Sequence, residues 1–298
     1  MNRLVLWDET RNAASCHKMT IAVELAHLGT DEGAAALIAG SCGSFGVALS
    51  TAAQEHGIPV CICVPVDYDG CSAQVSLMRS LGAEVIRHGR TYEDAVAYSA
   101  RLARLNGWLD CNPNGPFGDR MVTALSARIG KRLGSMCLRP RRLWVPVGNG
   151  TTMAAALRAV SRSSGGLHVI GVTSLGNNSI LAAWPKRSHK QISADSLRAT
   201  PVNAPLCNWQ ALHGELVLEL ATPLTQVVGV TDTDLREASG SLRDRTGVSY
   251  TPGGAAAYAG YRAHMFESGI DVVMLTARET YLSAHNPAAV TEARLETV

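Results

Sequence analysis

Four groups of residues in this chain have types and spacing that could do chemistry. The first is Lys18, which closes the stretch Asp8-Glu9-Thr10-Arg11-Asn12-Ala13-Ala14-Ser15-Cys16-His17-Lys18 and precedes the largely apolar run Met19-Thr20-Ile21-Ala22-Val23-Glu24-Leu25-Ala26. An ammonium group among apolar neighbours is costly unless its pKa falls or it is covalently modified. An amine so placed can serve as nucleophile or base. The chain holds four lysines, and Lys131, Lys186 and Lys190 sit in basic or prolyl surroundings that read as solvated. On its own segment, the commoner reading of Lys18 is a helix-start lysine whose stem carries its amine to water.

The second group is Gly148-Asn149-Gly150-Thr151-Thr152, between the apolar strand Arg142–Val147 and a helix that opens at Met153-Ala154-Ala155-Ala156-Leu157. Strand, glycine turn and helix N-terminus together make an anion cradle. The backbone amides converge, the glycines admit close approach, and the helix dipole favours negative charge. Tight turns of the same composition are common, so the motif alone leaves both readings open. It is not a Walker loop, because no lysine follows, nor a dinucleotide fingerprint, because the third glycine is missing. The third group is Ser41-Cys42-Gly43-Ser44-Phe45-Gly46, where a short buried strand ends and a helix begins. The fourth is Thr276, ending the apolar run Asp271-Val272-Val273-Met274-Leu275, which alone reads as an ordinary strand residue.

The elements that must position these groups alternate. Apolar strands at Leu4–Trp7, Ala34–Gly40, Pro59–Pro65, Glu84–Ile86, Arg142–Val147, His168–Thr173 and Asp271–Thr276 are interleaved with helix patterns. The helix patterns begin at Met19, Val47, Ala73, Tyr92, Asp119, Met153, Asp234 and near Pro252. This predicts an α/β fold of parallel sheets covered by helices, with ligand sites at the carboxyl ends of the strands. Residues 174 to 230 are the least periodic stretch, with Asn177-Asn178 and Asn203 to Trp209 standing out. Loops of that length are often functional.

At 298 residues, with 46% apolar and 17% charged residues, the chain suits two lobes. Its formal charge of +2 and 5% aromatic content point to neither nucleic acid nor an acidic membrane as partner. No run approaches the ~20 apolar residues of a membrane span, and Asp8 and Glu9 interrupt any signal peptide, so a cytoplasmic protein is expected. The eight cysteines include no C-x-x-C pair and read mostly as reduced core residues.

Taken in order, these pieces resemble the fold type II pyridoxal-phosphate enzymes, the tryptophan synthase β, cysteine synthase and threonine synthase superfamily, over nearly the whole chain. Asp8 to Lys18 looks like the family segment K-x-E-x-x-N-P-T-G-S-F-K, whose last lysine holds the cofactor as a Schiff base; that lysine falls on Lys18. Ser41, Cys42, Gly43, Ser44 and Phe45 look like the S-S-G-N-x-G loop that grips the substrate carboxylate. Ser44 takes the place of the asparagine that touches both cofactor and substrate. Gly148, Asn149, Gly150, Thr151 and Thr152 are similar to the G-x-G-G-T phosphate loop. Cysteine synthases place a serine against the pyridine nitrogen, where this chain has glycine in Pro252-Gly253-Gly254-Ala255. Threonine synthases use a strand-end threonine, and Thr276 fits, so the resemblance leans to that branch.

The resemblance implies pyridoxal 5'-phosphate as cofactor and two three-layer α/β/α lobes of mostly parallel sheet, as in tryptophan synthase β. The large cofactor-binding domain would be 1–28 with 120–298, and 29–119 a small mobile domain closing on substrate. A neutral hydroxyl at the pyridine nitrogen limits delocalisation into the ring and favours prompt loss of a β-leaving group. The implied function is β-elimination or β-replacement on a small hydroxy-amino acid or its activated ester, in a homodimer, with Lys18 as imine former and base. The alternatives are γ-chemistry on a phosphohomoserine-like substrate, and a non-catalytic homologue that needs a partner.

Departures gather at the substrate end. Besides Ser44, Cys42 replaces a hydroxyl residue, Cys16 stands two before the lysine, His17 replaces an aromatic, and Ala277-Arg278-Glu279-Thr280 replaces G-H-G-L-K. A thiol is a poorer hydrogen-bond donor than a hydroxyl. The family's preceding T-P-L segment is not in this chain, so the expectation is either a partner chain covering that surface or a more open site.

Overall fold

The computed structural model describes residues 2–41, 43–66, 72–162, 166–184, 191–264 and 268–279. Cys42, Cys71, Lys186, Lys190 and Thr280 lie outside the described residues. In chain order the elements are β1 (Asn2–Asp8), α1 (Met19–Asp31), β2 (Leu37–Gly40), α2 (Ser44–His56), β3 (Val60–Val64), α3 (Ser72–Ser80), β4 (Glu84–Arg87), α4 (Tyr92–Asn106) and β5 (Leu109–Asp110). There follow α5 (Gly118–Gly134), β6 (Arg142–Pro146), α6 (Thr151–Ser161), β7 (His168–Ser174), α7 (Ser179–Ala183), α8 (Gly214–Leu220), β8 (Thr225–Val230), α9 (Asp232–Thr246), α10 (Ala256–Ala263) and β9 (Gly269–Leu275).

The strands form two sheets, β1-β9-β6-β7-β8 and β4-β3-β2-β5, and every pairing is parallel. Parallel strands are covered on both faces, which is why β3 and β6 read as unbroken apolar runs. Alternate residues of the larger sheet enter different cores. Leu143, Val145, Val272 and Met274 pack with α5 and α6, whereas Trp144, Val273 and Leu275 pack with α9 and α10. The smaller sheet is layered in the same way. Leu37, Ala39, Val60 and Ile62 face α2 and α3, and Ile38, Cys61 and Cys63 face Ala95 and Ala103 of α4. Helix α1 packs against both α2 and α5, so the first core runs continuously from one sheet to the other.

Winding direction places the site. From β6 the chain steps outward to β7 and β8, and then β9 returns on the other side of β6. From β2 it steps to β3 and β4, and β5 returns on the other side of β2. Each sheet therefore has one point where the connections diverge and a crevice opens at the carboxyl ends. Gly148–Thr152 follows β6 and Ser41–Gly46 follows β2, so both turns occupy these points.

Local chemistry sets the element ends, and some differ from the sequence reading. Helix α4 starts in a capping box of Thr91 with Asp94, and α9 in one of Thr231 with Asp234. Helix α6 begins at Thr151, not Met153, so both threonine hydroxyls belong to its first turn. Strand β9 ends at Leu275, leaving Thr276 just beyond it. The irregular stretch from 174 onward contains the helices α7 and α8 and the edge strand β8. Strand β8 escaped notice because Gly229 and the exposed Gln226 break its apolar pattern.

Candidate active site

The glycine turn after β6 is shaped by what its carbonyls bond. Gly148 O accepts from Asn178 Nδ2 at 3.1 Å and from Asn208 Nδ2 at 2.9 Å, and Asn149 O accepts from His213 N at 2.9 Å. In a trans peptide the following N–H points opposite to the carbonyl. Holding these two carbonyls outward therefore turns the amides of Asn149 and Gly150 inward. The first α6 amide to reach a helical carbonyl is that of Ala154, on Gly150 O at 2.8 Å. The amides of Thr151, Thr152 and Met153 thus emerge from the helix N-terminus. Gly150 has φ +93°, and a Cβ there would lie 3.1 Å from His213 O, Ile180 Cδ1 and Val217 Cγ2, so only glycine gives this backbone. Asn149 Oδ1 is buried and has no hydrogen-bond partner among the described residues.

The Lys18 segment meets this turn. Register between β1 and β9 sets Asp8 opposite Leu275, and Glu9 N donates to Leu275 O at 3.0 Å. The chain then folds back around Asn12. Its Nδ2 donates to Glu9 O and Cys16 O at 3.1 and 2.9 Å, and its Oδ1 accepts from Cys16 N at 3.3 Å. Ser15, with φ +51°, is the one non-glycine residue in the left-handed region among those described. The turn seats His17 on two elements at once. His17 N and Nδ1 donate to Thr276 O at 3.0 and 3.2 Å, and Nε2 lies 2.8 Å from Thr152 Oγ1. Lys18 comes next, half-buried at the start of α1. Its charge is felt by both Cys16 and His17.

Ser44 and Thr276 approach the same segment. Cys16 Sγ donates to Ser44 O at 3.5 Å, and Cys16 bridges Ala277. Thr276 is buried, and among the described residues its hydroxyl reaches only Gly254 O, at the long distance of 3.5 Å. A Cβ on Gly254 would fall 2.2 Å from Ala277 O, so the absence of a side chain there is what lets the α10 start press against the end of β9. In the β2 turn, Ser41 is buried, and its Oγ accepts from the amides of Gly46 at 2.8 Å and Gly43 at 3.5 Å. Its lone pairs hold the turn, leaving its proton as the group available outward. Gly43, Ser44 and Phe45 are half-buried. Hydrogen bonds of Cys16 and His17 thus tie the segment that carries Lys18 to Ser44, Thr152 and Thr276.

Several residues of this arrangement were not identified as site residues from sequence. Asn178 and Asn208 had stood out only by composition; they buttress Gly148, and Asn178 Nδ2 also donates to Leu206 O at 2.7 Å. His213 bonds Thr151 Oγ1 through Nδ1 at 2.9 Å. Glu93, on α4 beside the smaller sheet, accepts from Trp209 N at 3.1 Å and so ties that side to the 203–213 loop behind the turn. Burial raises the Glu93 pKa against these amide bonds. No spacing rule joins residues this far apart.

Burial governs the two histidines. His17 is pushed down to about 3, by burial first and the Lys18 charge second, with the bond to Thr276 O opposing. His213 is pushed down to about 4 by burial, with Asp119 and the Pro113 carbonyl opposing and Arg158 reinforcing. Both lie below the ordinary histidine value of 6.5, so the unfolded chain takes up these protons first. Stability is full above pH 6.5 and falls as pH drops from there toward 4 and 3. We expect the urea midpoint of the cofactor-free protein to decline over about pH 6.5 to 4.5, and to decline less in His17→Phe. Parallel curves for the two proteins would show that His17 charges freely.

Known proteins resemble this chain over most of its length. The family profile described as pyridoxal-phosphate dependent enzyme matches residues 2–277. The catabolic L-threonine dehydratase TdcB of Staphylococcus aureus (strain USA300) is 24% identical over 230 residues, covering 77% of this chain and 63% of that protein. The L-threonine ammonia-lyase of Thermotoga maritima is 26% identical over 237 residues, covering 79% and 56%. The chain thus spans less than two thirds of these curated relatives. The crystal structure of a T.th. threonine deaminase superposes with a TM-score of 0.78 at 21% identity, covering 93% of this chain and 87% of that one.

Proposed function

Because the chain belongs to the family of pyridoxal-phosphate dependent enzymes, we propose that it catalyses β-elimination on a small hydroxy-amino acid, with Lys18 as the essential amine. The observation that carries the reading is His17. One residue before the lysine, it hydrogen-bonds the α6 threonine of the glycine turn and the carbonyl of the strand-end threonine. One cofactor can therefore meet all three.

The residues present fit pyridoxal 5'-phosphate. The amides of Asn149 to Met153 are donors suited to its phosphate, and Asn149 Oδ1 is an acceptor that the described residues leave unmet. Thr276 Oγ1, only weakly engaged by Gly254 O, would meet the pyridine nitrogen. The bound cofactor supplies an aldehyde for amine capture and a ring that draws electrons from the substrate α-carbon. Lys18 Nζ would hold the cofactor and would serve as the base for the α-proton. Gly43, Ser44 and Phe45, with the outward proton of Ser41, orient the substrate carboxylate, and Cys42 belongs to the same loop. The α-proton and the β-hydroxyl would together leave as one water, and the water returned in hydrolysis would give a 2-keto acid and ammonia.

The names of the relatives support elimination over the γ-chemistry of a threonine synthase, since those proteins are threonine dehydratases and ammonia-lyases. Thr276, the residue that pointed to the threonine synthase-like branch, serves elimination equally well, because a neutral partner at the ring nitrogen favours early loss of the leaving group. Residues 29–119, which carry the smaller sheet, would close over 1–28 and 120–298. A cytoplasmic homodimer remains our expectation from the family. Among the described residues no helix is long and apolar enough to cross a membrane.

The test is to supply cofactor-loaded protein with L-serine, L-threonine, O-acetyl-L-serine and O-phospho-L-homoserine, and to measure keto acid and ammonia. Equal yields of both from serine or threonine are expected. Threonine formed from the homoserine ester without keto acid would establish the γ-reading. Bound cofactor with no turnover of any substrate would leave the non-catalytic homologue.

A further inference from the structure

Both threonines of the glycine turn present their hydroxyls to buried imidazoles: Thr152 Oγ1 to His17 Nε2 at 2.8 Å, and Thr151 Oγ1 to His213 Nδ1 at 2.9 Å. The far side of each ring fixes which nitrogen carries the proton. His17 Nδ1 faces the backbone carbonyl of Thr276 at 3.2 Å, and a carbonyl only accepts, so Nδ1 bears the hydrogen. On His213 the Pro113 carbonyl favours the charged ring; Nδ1 is taken by Thr151 and Pro113 O lies on the Nε2 side, so hydrogen on Nε2 suits that carbonyl. With neutral rings, Nε2 of His17 and Nδ1 of His213 are then bare acceptors, and each threonine must donate to its histidine. Neither hydroxyl proton is left for an anion in the turn.

A phosphate dianion accepts and does not donate. For Thr151 or Thr152 to give it a hydroxyl proton without leaving the imidazole nitrogen behind unpaired, that nitrogen must donate instead, and while the other nitrogen stays on its carbonyl it can do so only by gaining a proton. We propose that seating a phosphate group in the Gly148–Thr152 turn draws a solvent proton onto His17, His213 or both, so that the threonine hydroxyls reverse and donate to the phosphate. The balance is one proton from water for each imidazole that charges; no bond other than hydrogen bonds changes. The two rings thus form a reserve of positive charge behind the cradle, where the chain supplies no lysine after the glycines.

The charged groups around the rings set their order. His17 has Lys18 beside it, whose charge resists a second cation. His213 has Asp119, which favours charging, and Arg158, which opposes it. Both rings are buried, and both are kept neutral by that burial when no anion is present. His213 is therefore the first to charge. In sequence, His17 stands where an aromatic was expected and His213 lies in the irregular stretch, so neither pattern hints at the pair.

The inference rests on the proposed phosphate-holding role of the turn, and the experiment separates the two. The probe is pyridoxine 5'-phosphate, which carries the phosphate but no aldehyde and so cannot react with Lys18. Full-length cofactor-free protein labelled with 15N-histidine is observed by NMR at about pH 7.5, with 31P NMR reporting the phosphate. His17→Gln and His213→Gln assign the two rings. Before addition each ring should show one protonated and one bare nitrogen; at saturation at least one ring, His213 first, should show two protonated nitrogens. Apparent Kd should rise up to about tenfold from pH 7 to pH 8 for each proton taken up, and Thr151→Val/Thr152→Val should flatten that slope. A bound phosphate with both rings still neutral overturns the inference and leaves the cradle standing. No phosphate binding at all overturns the cradle, and the inference with it.

Discussion

Lys18→Ala is expected to abolish covalent attachment of pyridoxal phosphate and to lower turnover by about 10³-fold or more, the scale of losing a positioned proton-transfer group. Two features of this chain make the effect specific. Among the four lysines of the sequence, Lys18 alone adjoins the residue that touches both the glycine turn and the end of β9. Position 18 also makes no side-chain cap hydrogen bond to α1, so Lys18→Ala removes no helix cap. The measurement is borohydride trapping followed by peptide mass analysis, with keto-acid production on the same samples. Wild type should carry the cofactor mass on the peptide containing Lys18, and Lys18→Ala should carry none. Lys18→Arg, which keeps the charge beside Cys16 and His17, should behave as Lys18→Ala does. Undiminished trapping or turnover in Lys18→Ala would place the chemistry elsewhere.

The largest loss of stability is expected at the opposite end of the same sheet. Arg142 and Asp271, paired in register on β6 and β9, form a bidentate ion pair with Nε–Oδ1 at 2.6 Å and Nη2–Oδ2 at 2.8 Å. Trp144 Nε1 adds a third donor to Oδ1 at 2.8 Å. Both charged residues are buried, 4% and 2% exposed. Removing one partner strands the other charge away from water, so Asp271→Ala should cost about 3–5 kcal/mol. Replacing both with apolar residues of similar size should cost much less, because no lone charge remains. Chemical denaturation of the single and double replacements checks this. A double replacement as unstable as the single one would show that the geometry of the pair, and not the unpaired charge, is what the fold needs. The pair lies at the amino ends of the strands, away from the glycine turn, so cofactor binding by the folded fraction should be unchanged.

Local patterns in the sequence determined the parallel α/β architecture and marked most of the candidate site. Strands buried on both faces are continuous apolar runs, and helices between them carry their own start signals, so the alternation can be read residue by residue. Lys18, the glycine turn and the Ser41–Gly46 turn were legible because each is a short contiguous motif whose chemistry depends on composition and spacing. The boundaries that moved, such as α6 starting at Thr151, moved because cap geometry depends on backbone angles that side-chain patterns do not specify. Only the tertiary structure decided how the turn is held and how its donors are aimed. Asn178, Asn208 and His213 reach Gly148, Asn149 and Thr151 across gaps of 30 to 64 residues, and His17 reaches Thr152 across 135. Hydrogen-bond direction is a property of such contacts: whether a threonine gives its proton to an imidazole or to an anion depends on what lies behind the imidazole. That is settled by which strands lie side by side, and no residue's neighbours in the chain encode it.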